Sequence, residues 1–229
     1  MNTKKAYVVG TQVDNSLSPL IFNHWFKKYG VDAKYDHKII KQKNFNKEIN
    51  KILKEENLCG INVTIPFKEK IIKNIHQLDS HSKIIGAVNC VTIKNNKYYG
   101  SNTDWLGFRE TLLGANINNN ILKNKTQKNA KTILIGYGGA AKAILYCLTL
   151  MGYWNYKNIV VFNRTKRKIY IPKCPQPKTL PLEKISEHID DARLIINTIP
   201  GNILMDLKIK KIEKKIAVCD IVYKPKETK

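Results

Sequence analysis

The chain has 229 residues, 43% of them hydrophobic, which is enough apolar material for two modest α/β domains or one large domain and argues against a disordered chain. Its 40 Lys and Arg residues outnumber its 18 Asp and Glu residues and give a net charge of +22, but the lysines occur in every segment without a nucleic-acid-binding motif, so nucleic-acid binding is not indicated. No apolar run approaches the roughly 18 residues of a membrane span, and the N-terminus has no apolar signal-peptide core, so we expect a cytoplasmic protein without a membrane partner. The cysteines and histidines show no metal-ligand spacing, which predicts no metal site.

Strand-like and helix-like segments alternate over the first 100 residues. Strands are predicted at 5–10, 33–40 and 60–65, and helices at 16–30, 45–58 and 68–78. The first helix has a serine cap, Pro19 near its start and Gly30 at its end. Residues 87–101 have the pattern of a strand pair that turns at Asn95-Asn96. This order predicts an α/β fold with a mostly parallel sheet whose last strand pair is antiparallel.

A second α/β unit is predicted in the rest of the chain. The helix 104–114 is followed by an Asn/Lys-rich linker at 115–130. After it we predict strands at 132–135, 159–162, 193–197 and 216–223, helices at 139–151 and 182–189, and a Pro-rich loop at 171–181. The composition change predicts two domains, residues 1–104 and residues 105–229.

A glycine pattern lies where a predicted strand meets a predicted helix. Gly136-x-Gly138-x-x-Ala141 has the G-x-G-x-x-A spacing of the dinucleotide-binding fingerprint of Rossmann domains. The first glycine permits a tight turn, the second lets the backbone approach a pyrophosphate, and the N–H groups at Gly139 and Ala140 open the helix toward the phosphates. The alternative is a tight strand-to-helix turn without a ligand.

The strand after this helix indicates which dinucleotide is bound. Enzymes that use NAD place a carboxylate near the end of this strand, whereas an arginine suits the 2′-phosphate of NADP. The segment contains no acidic residue and instead has Asn163, Arg164, Thr165 and Lys168. A guanidinium bonds a phosphate through two donors, so the sequence predicts NADP. The alternative is that Arg164 and Lys168 belong to a generally basic surface.

Eight short motifs follow one another along nearly the whole chain. They are SLSP at 16–19, NVTIPFK at 62–68, GAVN at 86–89, GSNTDWLGF at 100–108, GYGGAAKA at 136–143, NRT at 163–165, NTIP at 197–200 and DIVYKP at 220–225. In this order they resemble the shikimate dehydrogenase family. The resemblance implies an N-terminal substrate domain and a C-terminal Rossmann domain that close over a cleft. It also implies reversible reduction of 3-dehydroshikimate by NADPH to shikimate, on the route to chorismate and the aromatic amino acids.

The resemblance implies a role for each matching residue. Lys68 and Asp104 match the catalytic pair, and Tyr223 matches a tyrosine near the substrate. Ser16 and Ser18 match the serines that bind the substrate carboxylate. The residues that match polar groups around the ring hydroxyls are Asn62, Thr64, Asn89 and Thr103.

The chemistry of these residue types agrees with those roles. A small acid with several hydroxyls needs short donors and acceptors at fixed points, which serines at a helix start and amides at strand ends provide. Hydride addition to a carbonyl carbon leaves negative charge on oxygen, which the ammonium of Lys68 stabilises and protonates. A carboxylate such as Asp104 within about 4–6 Å favours the charged lysine. Judged alone, Lys68 fits a solvated surface lysine better than a catalytic residue, and its place in the ordered set of motifs reverses that preference.

The sequence departs from the family pattern in three ways. Asn15 replaces the usual histidine, Cys90 replaces the usual threonine, and the chain stops at YKPKETK where family members continue into C-terminal helices. A substrate-contacting glutamine in those helices has no match. The chain is therefore expected to be a shortened enzyme, an incomplete chain or a relic. Separately, we expect a monomer or a homodimer. The alternative functions are a quinate-active relative with another cofactor preference and a catalytically silent dinucleotide-binding paralogue.

Overall fold

The computed structural model describes residues 3–115, 131–150, 158–165, 176–199 and 216–222. Its α-helices are α1 (Ser18–Lys28), α2 (Phe45–Leu53), α3 (Ser80–Ile85), α4 (Asp104–Gly114) and α5 (Gly139–Leu150). Its strands are β1 (Lys4–Gly10), β2 (Ala33–Ile39), β3 (Leu58–Val63), β4 (Gln77–Leu78), β5 (Cys90–Lys94), β6 (Lys97–Ser101), β7 (Lys131–Ile135), β8 (Ile159–Phe162), β9 (Lys178–Leu180), β10 (Ala192–Asn197) and β11 (Ala217–Asp220).

The chain divides into two compact units, Met1–Thr103 and Asp104–Lys229. Asp104, the last residue of the predicted substrate domain, is thus the first residue of the second unit. Each unit has its own sheet and its own cluster of buried apolar side chains.

The first unit is built on a six-stranded sheet in the order β2-β1-β3-β5-β6-β4. Strands β1, β2 and β3 are parallel, whereas β5 runs antiparallel to both β3 and β6. Side chains alternate between the two faces of a strand. Tyr7 and Val9 of β1 therefore pack with α2 in the main core, while Val8 between them packs with Phe22 and Phe26 of α1. Helices thus cover both faces of the parallel part.

The second unit contains a five-stranded sheet in the order β11-β10-β7-β8-β9. All four strand pairs are parallel. Its central strands contain the buried apolar runs 133–135 and 159–162, as expected for a parallel sheet buried on both faces. The predicted α/β fold with mostly parallel sheets is confirmed.

Most predicted elements are present near their expected positions. Helix α4 has the predicted bounds, and α2 and β3 end earlier than predicted, at Leu53 and Val63. Asn95 and Asn96 have φ of 48° and 57°, so the two residues form the predicted tight turn between β5 and β6. Asparagine is one of the few residues besides glycine that adopts this left-handed conformation readily.

The predicted helix at 68–78 is wrong. Only a 3-10 helix, Lys70–Asn74, forms there, and Gln77–Leu78 is instead the edge strand β4 beside β6. Two backbone N–H groups of this segment donate to carbonyls of β6: that of His76 to Tyr98 and that of Asp79 to Gly100. These long-range bonds replace the helical bonds that the local apolar spacing favoured.

Four further details differ from the prediction. The helix expected at 182–189 is a pair of 3-10 turns, Leu182–Glu187 and Ile189–Asp191. Part of the predicted Pro-rich loop is strand β9, which pairs with β8. Helix α3 was not predicted, although Asp79 caps it by accepting from the Ser82 N–H at 2.6 Å. The last strand is shorter than predicted, and the linker at 116–130 lies outside the described residues.

Candidate active site

Four predicted substrate-binding residues lie at the end of the first sheet where β3 and β6 finish and β5 begins: Asn62, Thr64, Asn89 and Thr103. The register pairs Asn62 with Cys90, and Cys90 with Ser101, so the three strand ends are neighbours. The carboxyl ends of parallel strands are where ligands bind in open α/β sheets.

Asn89 connects the end of β3 with the residues that follow β6. Its carbonyl oxygen accepts from the backbone N–H of Val63 at 2.9 Å and from Nδ2 of Asn62 at 3.3 Å. Its side-chain Oδ1 accepts from the backbone N–H of Thr103 at 2.9 Å, and its Nδ2 donates to Thr103 Oγ1 at 3.0 Å. Thr103 thus holds the side-chain amide of Asn89 in one orientation. Together with Asn62 and Thr64, these two residues form a polar surface of amides and hydroxyls.

Lys68 lies on a short turn that directly follows β3. The N–H of Thr64 donates to the carbonyl of Val9, and the N–H of Phe67 donates back to Thr64, each at 2.9 Å. Phe67 is fully buried and stacks on Phe45 with ring centroids 4.4 Å apart. The carbonyl of Lys68 accepts from the Val88 N–H at 2.8 Å, so its backbone is anchored on both sides. The Lys68 side chain is half-buried.

Gly10, at the carboxyl end of β1, is required by the position of Thr64. A Cβ atom at Gly10 would lie 2.6 Å from the Thr64 methyl carbon and 2.7 Å from a Val13 methyl carbon, closer than side chains pack. Sequence reasoning missed this residue because Gly10 and Thr64 are far apart in the chain. The glycine at a strand end was the available signal.

Ser16 and Ser18 lie at the start of α1 and are half-buried. The predicted serine cap is wrong, because Leu17 occupies the capping position and no side chain caps the helix there. Instead, Oγ of Ser16 accepts from the backbone N–H of Ser18 at 3.3 Å. Both hydroxyls therefore lie beside the N-terminal end of an 11-residue helix, whose dipole favours an anion.

Tyr35, on β2, contacts this group of residues and was not predicted. It is 3% exposed, and its hydroxyl donates to Oδ1 of Asn62 at 2.7 Å. Burial raises the pKa of the Tyr35 phenol. The signal in the sequence was a tyrosine at an inward position of an alternating strand.

In the second unit, the predicted fingerprint forms the turn between β7 and α5. Gly136 has φ of +96°, a conformation that favours glycine, and its N–H donates to Phe162 O at 2.7 Å. A Cβ atom there would also collide with Thr198 Oγ1 and the Ile199 side chain. Thr198, whose hydroxyl donates to the Ile135 carbonyl at 2.7 Å, was not predicted as part of this turn.

Gly138 has a different environment from Gly136. It is exposed, its φ lies outside the left-handed region, and a Cβ atom built on it would meet no atom of the described residues within 4 Å. Packing within the described part of the chain therefore does not require glycine at this position, and the open space lies beside the N-terminal N–H groups of α5. This arrangement fits a phosphate that approaches the backbone.

The residues predicted to select the cofactor follow β8. Asn163 is fixed by its N–H, which donates to Leu180 O at 3.0 Å, and by its Nδ2, which donates to Thr165 O at 2.7 Å. Arg164 and Thr165 are exposed. Lys168 and the predicted substrate neighbour Tyr223 lie outside the described residues.

The described parts of the chain have neither a metal cluster nor a membrane span. Within those ranges, no group of three or more His, Cys, Asp or Glu side chains is placed to hold a metal ion. None of the helices within them combines the length and apolar character that crossing a bilayer requires.

Known proteins resemble the chain in both sequence and structure. Residues 8–91 match the family model of the shikimate dehydrogenase substrate binding domain. A protein from Oceanobacillus iheyensis named shikimate dehydrogenase (NADP(+)) is 32% identical over 96% of this chain and 79% of its own length.

Solved structures of shikimate dehydrogenases also resemble the fold of this chain. Shikimate dehydrogenase from Thermotoga maritima superposes with a TM-score of 0.77, at 29% identity, over 96% of this chain and 79% of its own. The Thermus thermophilus enzyme in complex with NADP(H) and shikimate has a TM-score of 0.70, at 26% identity, over 97% of this chain and 80% of its own. The resemblance inferred from the motifs is confirmed, and the chain belongs to the shikimate dehydrogenase family.

Proposed function

We propose that this protein is an NADP-dependent shikimate dehydrogenase that reversibly reduces 3-dehydroshikimate to shikimate, a step on the route to chorismate and the aromatic amino acids. Family membership and the name of the Oceanobacillus relative support the proposal. The observation that carries it is the polar surface at the carboxyl edge of the first sheet, with Lys68 on the adjoining turn. The first unit is the proposed substrate domain and the second the proposed NADP domain.

The substrate has one carboxylate and several hydroxyls, and the first unit has matching groups for both. We assign the carboxylate to Ser16 and Ser18, beside the positive end of the α1 dipole. We assign the ring hydroxyls to the amides and hydroxyls at the strand ends: Asn62, Thr64, Asn89 and Thr103. Tyr223 is assigned as a further substrate neighbour by its motif alone.

Lys68 is assigned as the proton donor. NADPH supplies a hydride to the carbonyl carbon when it is bound, and the carbonyl oxygen becomes negatively charged. The ammonium of Lys68 stabilises this charge and donates its proton to the oxygen, after which the resulting amine takes a proton from solvent. Asp104 is assigned, from its motif, as the carboxylate that favours the charged form of the lysine.

The second unit has the residues expected to hold NADP. The open space at Gly138 and the N–H groups of Gly139 and Ala140 suit the pyrophosphate, while Gly136 makes the turn possible. The residues after β8 suit the 2′-phosphate, since Arg164 is exposed and residues 163–165 include no carboxylate. Lys168 is assigned to the same phosphate by its position in the sequence.

The direct test is NADPH absorbance with the purified 229-residue protein and 3-dehydroshikimate. We expect NADPH to be oxidised rapidly and NADH slowly. Quinate and shikimate, each offered with NADP⁺, separate this function from that of a quinate-active relative. A folded protein that binds NADPH but turns over neither acid would contradict the proposal and favour the catalytically silent paralogue.

Cofactor selection is tested by Arg164→Ala. We expect the KM for NADPH to rise at least about tenfold, because NADPH loses a charge-assisted bond between its 2′-phosphate and Arg164. The KM for NADH should change little, since NADH has no 2′-phosphate. Lys184→Ala removes an exposed cation elsewhere in this unit and should change neither value. Equal losses for both cofactors would contradict the assignment of Arg164.

A further inference from the structure

We propose that Tyr35 is a positioning residue of the substrate site, which holds the amide of Asn62 in one orientation and so aims its donor group. The proposal rests on the function proposed above, in which Asn62 binds a ring hydroxyl. Tyr35 belongs to none of the motifs from which the site was predicted.

The orientation of the Asn62 amide depends on two contacts. Its Oδ1 accepts from the Tyr35 hydroxyl at 2.7 Å, and its Nδ2 donates to the carbonyl oxygen of Asn89 at 3.3 Å. A flipped amide would place Oδ1 against the Asn89 carbonyl oxygen, which are two acceptors with no hydrogen between them. The shorter bond is the one from Tyr35, so its loss would leave the amide held only by the longer contact.

Tyr35 is itself held rigidly, which a positioning residue requires. Its ring stacks on Phe22 with centroids 4.6 Å apart and planes 7° apart. Its backbone N–H donates to Oδ1 of Asn23, and its carbonyl accepts from Nδ2 of Asn23, each at 2.8 Å. Because β2 is an edge strand, the Asn23 amide takes the place of a neighbouring strand there.

These contacts give Tyr35 a position between two parts of the proposed site. Phe22, which stacks on the Tyr35 ring, and Asn23, which bonds its backbone, belong to α1, the helix that begins at the proposed carboxylate-binding serines. Asn62 belongs to β3, on the proposed ring-hydroxyl side. Tyr35 therefore links the two sets of groups that must contact opposite ends of one small substrate.

Packing alone does not explain a tyrosine at this position. Phenylalanine would fill nearly the same volume and keep the stacking on Phe22, and a buried hydroxyl is costly unless it is hydrogen-bonded. A tyrosine phenol is protonated at neutral pH, and burial raises the pKa of this one further, so it remains a donor to Asn62. The hydroxyl is thus explained by its bond to Asn62.

The test compares Tyr35→Phe with Tyr7→Phe. Tyr7 is a matched control, because it is also buried, lies on the adjacent strand β1, and donates to Glu55 Oε2 at 2.7 Å away from the proposed site. For Tyr35→Phe we expect the KM for 3-dehydroshikimate to rise about tenfold, with kcat within about threefold and the KM for NADPH unchanged. Tyr7→Phe should keep all three values, while both variants lose a similar few degrees of melting temperature.

A double-mutant cycle with Asn62→Ala separates positioning from a general structural effect. If Tyr35 acts through Asn62, adding Tyr35→Phe to Asn62→Ala should raise the KM no further. Multiplicative effects in the cycle, or a wild-type KM in Tyr35→Phe, would overturn the proposal while leaving the dehydrogenase function intact. Absence of turnover by the unmutated protein would instead overturn the function and, with it, the role of Tyr35.

Discussion

Lys68 owes its position to its neighbours in the turn rather than to a helix of its own. Buried Phe67 on one side and the Val88 N–H bond on the other fix the backbone, while the lysine side chain is half-buried. The sequence predicted a lysine just beyond the carboxyl end of a strand, and the structure has it there. Its catalytic role stays a prediction.

Replacing Lys68 by alanine tests that role. We expect kcat to fall at least about 100-fold with little change in the KM for 3-dehydroshikimate, because the ammonium acts on charge that develops in the transition state. Lys70→Ala, which removes an exposed lysine from the adjacent 3-10 helix, should keep near-normal kcat. Steady-state kinetics of the two variants decide the matter, and near wild-type turnover by Lys68→Ala would remove it from the chemistry.

Two of the residues that sequence reasoning missed, Tyr35 and Gly10, belong to none of the motifs. Tyr35 and Gly10 matter through Asn62 and Thr64, which lie 27 and 54 positions further along the chain. Neither residue type is unusual in a strand or at a strand end. Their importance depends on strand register, which places each pair in contact.

At the scale of elements, the turn between β7 and α5 contains two glycines with different physical reasons. Gly136 has a positive φ and no room for a side chain, whereas Gly138 has neither restriction. The sequence pattern treats them as one fingerprint. The structure separates a glycine needed for folding from one that suits a ligand.

Alanine substitutions should reveal this difference. We expect Gly136→Ala to lower the free energy of unfolding by about 2–4 kcal/mol, through strain and collision. Gly138→Ala should change it by less than about 0.5 kcal/mol, yet raise the Kd for NADPH at least about tenfold. Urea unfolding and fluorescence titration with NADPH measure the two quantities. Unchanged NADPH affinity in Gly138→Ala would show that the cofactor does not approach there.

Elements were predicted best where local pattern and long-range pairing agree. Helix α4 and the Asn95-Asn96 turn have the predicted positions, because their backbone bonds are local. The segment 68–78 has helical spacing, but its end pairs with β6 and its isoleucines enter the main core. Tertiary bonds and burial outweigh the small differences in local propensity.

At the scale of the whole molecule, the charge of +22 is the least explained feature. Both proposed ligands are anions, and NADPH has about four negative charges against one for 3-dehydroshikimate. Lysines spread over the surface produce a positive potential that attracts anions at long range.

Added salt should therefore weaken the binding of NADPH more than the binding of 3-dehydroshikimate. The screening length is about 10 Å at 0.1 M salt and about 3 Å at 1 M, so distant lysines lose their effect as salt is added. We expect the KM for NADPH to rise several-fold over that range and more steeply than the KM for 3-dehydroshikimate. Parallel, flat salt profiles for both would show that the overall charge contributes nothing to binding.

The sequence by itself determined the α/β class, most strands, the strand-to-helix glycine turn and the ordered motifs that indicate the family. These properties depend on residues adjacent in the chain, whose side-chain alternation and backbone preferences act locally. Only the tertiary structure decided that 68–78 is not a helix, that β9 forms an edge strand, and that Tyr35 meets Asn62. Such contacts depend on register and burial between distant segments, because a shift of one residue would turn each side chain to the opposite face.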